Sequence, residues 1–136
     1  MSGEGADLVS QLSEDEAWAL LSQHEVGRLA TTAGGVLDIF PITYVVDNRT
    51  VVFRTAPGTK LVELTVNDHV AFEIDHYDDE SGYSVVIHGT AERLESMGDI
   101  DRAKLLPLPN LFPTERPRYV RIHPTDISAR RFTRAK

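Results

Sequence analysis

The chain has 136 residues, of which 41% are hydrophobic and 26% charged, and this suits one globular domain with a single core. It contains no cysteine, which excludes disulfides, thiol chemistry and thiolate metal sites. A formal net charge of −7 disfavours general binding to nucleic acid, because an acidic surface repels the phosphate backbone.

The two ends of the chain carry no sign of a membrane partner. The amino terminus lacks a basic segment followed by an apolar one, and no apolar run approaches the roughly 20 residues that span a bilayer. We therefore expect a soluble, cytoplasmic protein. Basic residues gather toward the carboxyl terminus, where a solvated strand face or a subunit contact explains them better than an anion site: Arg116, Arg118, Arg121, Arg130, Arg131, Arg134 and Lys136.

The amino-terminal part is predicted to contain an arm and a helix. Residues 1–12 are mostly small and polar and are expected to form a flexible arm, which leaves 13–136 as a single domain. Ser13 and Glu16 have the spacing of a capping box at the start of a short helix that ends near Gln23. The expected buried side of this helix consists of Ala17, Trp18, Leu20 and Leu21.

Three β-rich segments follow in close order and predict an antiparallel meander. The first begins at Val26 and ends in a glycine turn at 33–35, and the second covers 37–46. Pro41 cannot donate a backbone hydrogen bond, so we expect it at an edge, a bulge or an irregular point. Asp47-Asn48 predicts a hairpin into the third strand, 50–54.

The second half predicts three more strands and two more helices. Thr59 is expected to cap a helix through about Asn67, and a strand over 69–75 precedes an acidic turn at 78–82. A long strand over 83–94 contains Gly89 as an expected bend or bulge. A helix over 98–106, a proline-rich connector over 106–113 and a strand over 118–123, extended by 127–132, complete the chain. Six strands in this order suit a closed antiparallel barrel.

Most familiar catalytic patterns are missing from this sequence. The five histidines, His24, His69, His76, His88 and His123, lack metal-ligand spacing, and Asp78 and Asp79 beside His76 fit an acidic turn better than a cation site. There is no Gly-x-Gly-x-x-Gly pattern, no phosphate-binding P-loop and no Gly-x-Ser-x-Gly elbow. We assign no metal site and no catalytic side chain.

The segment 53–61 has the chemistry of a phosphate site. A strand ends in Arg54 and Thr55, a glycine turn follows, and a helix begins at Thr59 and Lys60. A phosphate there would meet free helix amides, two hydroxyls and two cations. From spacing alone, solvated cations and a capping Thr59 explain the same residues.

Several segments together resemble the pyridoxamine 5′-phosphate oxidase-like superfamily. They are Gly27-Arg-Leu-Ala-Thr31, Asp38-Ile-Phe-Pro-Ile-Thr43, Phe53-Arg-Thr-Ala-Pro-Gly-Thr-Lys60, Val85-Val-Ile-His-Gly89 and Arg118-Tyr-Val-Arg-Ile122. The resemblance covers roughly 13–132 and is nearest to the small actinobacterial flavin or deazaflavin oxidoreductases and the nitroimidazole-resistance-type proteins. It rests on the order and spacing of these segments together.

The resemblance implies a mainly β fold with flanking helices, a six-stranded antiparallel split β-barrel of the FMN-binding type. It also implies a homodimer with cofactor sites along the interface, and a hydride transfer between the cofactor and a small organic substrate. Positions that match the family's cofactor contacts are Arg54, Thr55, Thr59 and Lys60 for the phosphate, the backbone of Phe40, Pro41, Ile42 and Thr43 for the ring, and Ser84 from the partner subunit.

The chain departs from the vitamin B6 oxidases proper. Their paired-cation Ser-Arg-Lys pattern is shortened here to Thr59-Lys60, and Phe40 stands at the position of their strand arginine. Pyridoxamine phosphate is therefore not the expected substrate. The cofactor is FMN or the deazaflavin F-420, between which the sequence does not choose. A non-catalytic flavin or deazaflavin carrier and, as a third reading, a haem-binding barrel are the alternatives.

Overall fold

The computed structural model describes residues 8–109 and 116–134, which contain seven strands and three helices. The strands are β1 (Val9–Gln11), β2 (Val26–Ala33), β3 (Val36–Asp47), β4 (Thr50–Thr55), β5 (His69–Tyr77), β6 (Ser81–Arg93) and β7 (Arg118–Thr133). The helices are α1 (Glu14–Leu21), α2 (Thr59–Val66) and α3 (Met97–Lys104). Within these ranges, none of the helices is long and apolar enough to cross a membrane.

Six of the strands close into the predicted antiparallel barrel. The sheet order is β1-β7-β4-β3-β2-β5-β6, and a further pairing of β6 with β7 joins the ends. β3 changes neighbours along its length, since it pairs with β2 up to Thr43 and with β4 from Tyr44 onward. Pro41 therefore lies in a stretch with one strand neighbour, which confirms the expected edge position.

The seventh strand, β1, corrects two expectations at once. Val9–Gln11 falls inside the segment expected to be a flexible arm, and it pairs with Arg130, Arg131 and Phe132 of β7. Because β4 has only six residues and covers β7 from Arg118 to Ile122, the later part of β7 has a free edge that β1 occupies. Residues 1–7 of the expected arm lie outside the described residues.

Both predicted hairpin turns place two residues in the left-handed backbone region. Gly34 and Gly35 do so between β2 and β3, with φ of 58° and 80°. Asn48 and Arg49 do so between β3 and β4, with φ of 50° and 54°. Asparagine tolerates this region, whereas in arginine the Cβ is sterically strained there. The Arg49 guanidinium contacts Asp15 and Glu14 of α1 across exposed surface.

We expect Arg49→Gly to stabilise the protein by about 0.5–1 kcal/mol, because glycine removes the left-handed strain and exposed ion pairs contribute little. Arg49→Ala is the matched control, since it removes the same ion pairs and keeps a Cβ at positive φ. Urea unfolding of the three proteins measures the difference. A free energy of unfolding for Arg49→Gly at or below that of Arg49→Ala would contradict this account.

The three helices lie where the sequence predicted them, but their first and last residues differ from the predicted ones. The capping box of α1 is confirmed, with the Ser13 hydroxyl accepting from the Glu16 amide at 3.1 Å and the Glu16 carboxylate accepting from the Ser13 amide at 3.2 Å. α1 ends at Leu21, two residues before the expected end at Gln23. α3 starts one residue earlier and stops two residues earlier than predicted, and Ser96 caps it. The acidic turn is shorter, because Ser81 and Gly82 belong to β6.

The barrel interior is apolar and is closed by α1. Ala17, Trp18, Leu20 and Leu21 are buried as predicted. The Tyr44 hydroxyl, inside the barrel, donates to the Leu21 carbonyl at 2.5 Å, and the Phe72 ring meets the Tyr44 ring edge-on with centroids 4.9 Å apart. Burial raises the pKa of the Tyr44 hydroxyl, which therefore stays a neutral donor. This bond ties the end of α1 to the barrel.

Candidate functional site: the β4–α2 corner

The candidate phosphate site lies where β4 ends, the chain turns and α2 begins. Four of the predicted residues, Arg54, Thr55, Thr59 and Lys60, share this corner because β4 ends at Thr55 and α2 starts at Thr59. The first amides of α2 have no carbonyl partner within the helix, as at any helix amino terminus. The corner thus combines backbone donors with two cationic side chains, the chemistry that binds phosphate.

The expected capping role of Thr59 is wrong. The residue before the helix is Gly58, and no side chain caps α2. Thr59 is the first helical residue and is exposed, so its hydroxyl does not satisfy the first-turn amides. Gly58 has a nearly extended φ of 164°, and an added Cβ there would meet nothing within 4 Å. The first-turn amides of α2 therefore have no side-chain cap.

Lys60 contacts Phe40, which joins the helix to the strand expected to run along the cofactor ring. The Lys60 Nζ lies 5.1 Å from the centroid of the Phe40 ring, within the range of a cation–π contact. Partial burial lowers the pKa of the Lys60 ammonium. A bound phosphate would favour the charged form again and offset that cost. Two predicted site residues 20 positions apart in sequence are therefore neighbours in space.

Arg54 and Thr55 point in different directions from the end of β4. The Arg54 Nη2 donates to the Pro109 carbonyl at 3.1 Å, which ties the guanidinium to the connector after α3. Thr55 is 7% exposed, and its hydroxyl donates to the Ala56 carbonyl at 3.3 Å. Thr55 therefore shapes the turn, whereas Arg54 and Lys60 are the two half-buried cations of the corner.

The strand segment predicted to run along the ring is continuous with this corner through Phe40. Ile42 and Thr43 are buried, Phe40 is half-buried and Pro41 is exposed. The segment pairs with β2 from Val26 to Leu29, and β4 begins to pair with β3 only after it. Its second edge has no strand neighbour among the described residues, so its backbone groups are available there.

Ser84 is separated from the corner within the subunit. It lies in β6, opposite Asp75 of β5 and Arg130 of β7, and the sheet order places β2 and β5 between β3 and β6. No contact joins it to Lys60 or Phe40 in the described residues. Ser84 therefore does not join the corner of its own subunit, and its role at the site of a partner subunit stays a prediction.

A polar cluster that the sequence did not single out flanks Ser84. The His24 Nε2 and the Tyr83 hydroxyl are 2.5 Å apart, and the His76 ring centroid lies 6.2 Å from that of His24. Burial, followed by the nearby His76, lowers the pKa of His24 and favours the neutral imidazole. Sequence spacing gave no signal, because these residues come from three separate segments.

A second unpredicted contact anchors α2 to the barrel. The buried Thr31 hydroxyl on β2 donates to the Glu63 carboxylate on α2 at 2.7 Å. The neighbouring Asp38 carboxylate raises the pKa of Glu63, while the bond from Thr31 lowers it. This bond fixes the helix that carries Lys60 against the strand that pairs with Phe40.

Comparison with solved structures finds the same architecture in flavin-binding proteins. An FAD-binding protein from Mycobacterium smegmatis is 43% identical, with a TM-score of 0.79 over 92% of this chain and 99% of that one. An FAD-binding protein from Mesorhizobium loti is 25% identical, with a TM-score of 0.82 over 94% of this chain and 98% of that one.

Comparison at the level of sequence gives the family directly. An uncharacterised protein of Mycobacterium tuberculosis is 37% identical over 90 residues, which are 64% of this chain and 79% of that protein. The family model for pyridoxamine 5′-phosphate oxidase matches residues 13–131, almost the whole described barrel. With this match and the split barrel in place, the chain belongs to the pyridoxamine 5′-phosphate oxidase family.

Proposed function

We propose that this protein is a flavin- or deazaflavin-dependent oxidoreductase whose cofactor phosphate binds at the β4–α2 corner. The observation that carries the proposal is the Lys60–Phe40 contact, which brings a cation and the open amides of α2 beside the free edge of β3. The FAD-binding structures of the same fold support a flavin over other ligands.

The chain's own residues would bind and orient the cofactor. Lys60 and the first amides of α2 face the phosphate, and Arg54, Thr55 and Thr59 complete the corner. The backbone from Phe40 to Thr43 would lie along the ring and would exclude water from that side. The cofactor supplies the hydride chemistry when bound, and the protein supplies position and electrostatics. No side chain is assigned as an acid or base.

Fluorescence titration of ligand-free protein with FMN, FAD and F-420 in parallel tests the binding step. Tight binding of any one supports the proposal, and binding of none overturns it. Anaerobic bleaching of the bound cofactor by a reduced nicotinamide, with recovery on adding an electron acceptor, separates an oxidoreductase from a carrier that binds without turnover. A Soret band in the purified protein would instead identify a haem-binding barrel.

We further propose that the protein works as a homodimer, joined in part along β3. Val36, Leu37 and Ile39 are 57%, 79% and 71% exposed on a stretch of β3 that has only β2 as a strand neighbour. Clustered apolar side chains at a sheet edge are typical of an interface and otherwise invite aggregation. Ser84 of one subunit would then approach the corner of the other.

We expect the double substitution Leu37→Lys and Ile39→Lys to give a monomer with weakened flavin binding, because two buried charges at the interface are not compensated. Light scattering should change from twice the chain mass of 15.1 kDa to that mass. Met97→Lys is the control, since Met97 is 73% exposed on α3, outside this edge. A wild-type protein that is itself monomeric would contradict the dimer.

A further inference from the structure

A groove without an assigned role runs along α2 from Leu61 to the carboxyl end of the helix and continues past the end of β6. Its first part has a volume of about 560 Å³ and is lined by Leu61, Leu64, Asp68, Arg93 and Glu95, among others. A second part of about 310 Å³ lies between the ends of β6, α3 and β7. Arg93 and Glu95 line both parts, so the two parts adjoin at these residues.

The groove presents two guanidinium groups on adjacent strands. Arg93 on β6 is directly opposite Val120 on β7, and Arg118 precedes Val120 by two residues. Arg93 and Arg118 are therefore diagonal neighbours on one face, typically about 7 Å apart. The Arg118 Nη1 donates to the Arg116 carbonyl at 2.8 Å, whereas Arg93 has no hydrogen-bond or ion-pair partner within 8–109 and 116–134.

Strand register connects this groove to the phosphate corner. Arg118 is directly opposite Thr55, and Tyr119 is opposite Arg54. On the other side, Leu61 lines the groove and follows Lys60 in α2. A ligand whose phosphate sits at the corner can thus extend into the groove without leaving the protein surface.

The acidic side chains of the groove indicate which kind of cofactor tail it would accept. Asp68 and Glu95 line it together with Arg93, so it is not uniformly cationic. A guanidinium beside carboxylates suits a nucleotide, since the cation pairs with phosphate and a carboxylate accepts from ribose hydroxyls. The oligocarboxylate tail of F-420 offers no hydroxyls of this kind and would be repelled by both acids.

We propose that this groove binds the adenosine phosphate half of a flavin dinucleotide, with Arg93 as its phosphate contact. The proposal rests on the proposed function, since it extends the same cofactor from the corner into the groove. The preferred cofactor is then FAD. FMN lacks the adenosine phosphate that the groove would bind, and F-420 has an oligocarboxylate tail in its place.

The test compares dissociation constants for FAD, FMN and F-420 in the wild type, Arg93→Met and Arg118→Met. We expect the wild type to bind FAD at least about tenfold more tightly than FMN, because one charge-assisted hydrogen bond contributes about that factor to affinity. Arg93→Met should remove this preference and leave FMN affinity unchanged, and Arg118→Met should act in the same direction. Arg49→Met, which removes one arginine at the opposite end of β4, should keep the preference.

The outcomes separate the two proposals. Flavin binding with equal affinities for FAD and FMN in the wild type, or a preference that survives Arg93→Met, overturns the groove assignment and leaves the proposed function standing. Preferred binding of F-420, weakened by Arg93→Met, also overturns it, because the groove would then hold an oligocarboxylate. Binding of no flavin or deazaflavin overturns the proposed function itself. Circular dichroism confirms that each variant is folded.

Discussion

Replacing Gly89 with alanine is expected to lower the free energy of unfolding by about 3 kcal/mol, the upper part of the usual range for overpacking. An added Cβ would lie 2.3 Å from the His123 carbonyl oxygen and 3.0 Å from the Pro124 Cα. Both are backbone atoms of β7, so no side-chain rotation relieves the clash. The barrel closes at this point, where the β6–β7 register shifts between His88 and Gly89.

Gly58→Ala provides the matched control for this prediction. A Cβ at Gly58 would meet nothing within 4 Å, and its φ of 164° is extended backbone that alanine adopts. We expect its stability to stay within about 1 kcal/mol of the wild type. Guanidinium unfolding compares the three proteins. A small and equal loss of stability in both variants would contradict this prediction, because it would show that the β7 backbone moves to accommodate the added Cβ.

Lys60→Met is expected to weaken FMN binding by about ten- to a hundredfold, the range that a hydrogen bond to a charged group supports. Methionine keeps much of the apolar stem that lies against the Phe40 ring and removes the ammonium. The loss should therefore come from the phosphate contact and leave the fold unchanged. Fluorescence titration of both proteins measures the two dissociation constants.

Riboflavin, which has the same ring and no phosphate, isolates that contact. Its affinity should change little in Lys60→Met, so the FMN-to-riboflavin preference should fall with the FMN affinity. If both ligands weaken equally, Lys60 acts on the ring or on the helix position, and the phosphate site lies elsewhere. Thr59→Ala is expected to have the smaller effect, because an exposed hydroxyl contributes a single neutral donor.

Features that depend on near neighbours in the chain were predictable from sequence. The capping box needs only Ser13 and Glu16, three residues apart, and both its hydrogen bonds form. Gly34, Gly35 and Asn48 tolerate positive φ and indicated the two hairpin turns, although Arg49 also adopts it at a steric cost. Gly89 indicated its bulge, because a glycine inside a strand often marks one. The barrel class followed from the order of the predicted strands, and the family followed from the resemblance of several sequence segments to it.

Exact ends and capping roles were less predictable, even within one segment. Thr59 has the composition of a cap, yet the helix starts at Thr59 itself, so the capping position falls on Gly58. The choice between the two depends on the backbone angles of the turn after β4. This turn begins where β4 stops pairing with β7, at the tertiary contact between Thr55 and Arg118.

By itself, the sequence determined the order of the helices and of six of the seven strands, the main turns and the barrel class, and it predicted phosphate-type chemistry at 53–61. Only the tertiary structure decided that Val9–Gln11 covers an edge of β7, that Lys60 meets Phe40, and that Arg93 and Arg118 share a groove. The first set depends on residues close together in the chain, whose conformational preferences are local. The second depends on strand pairing and helix packing between distant segments. A hydrophobic pattern shows that a segment must be buried, but it does not identify the segment that it packs against.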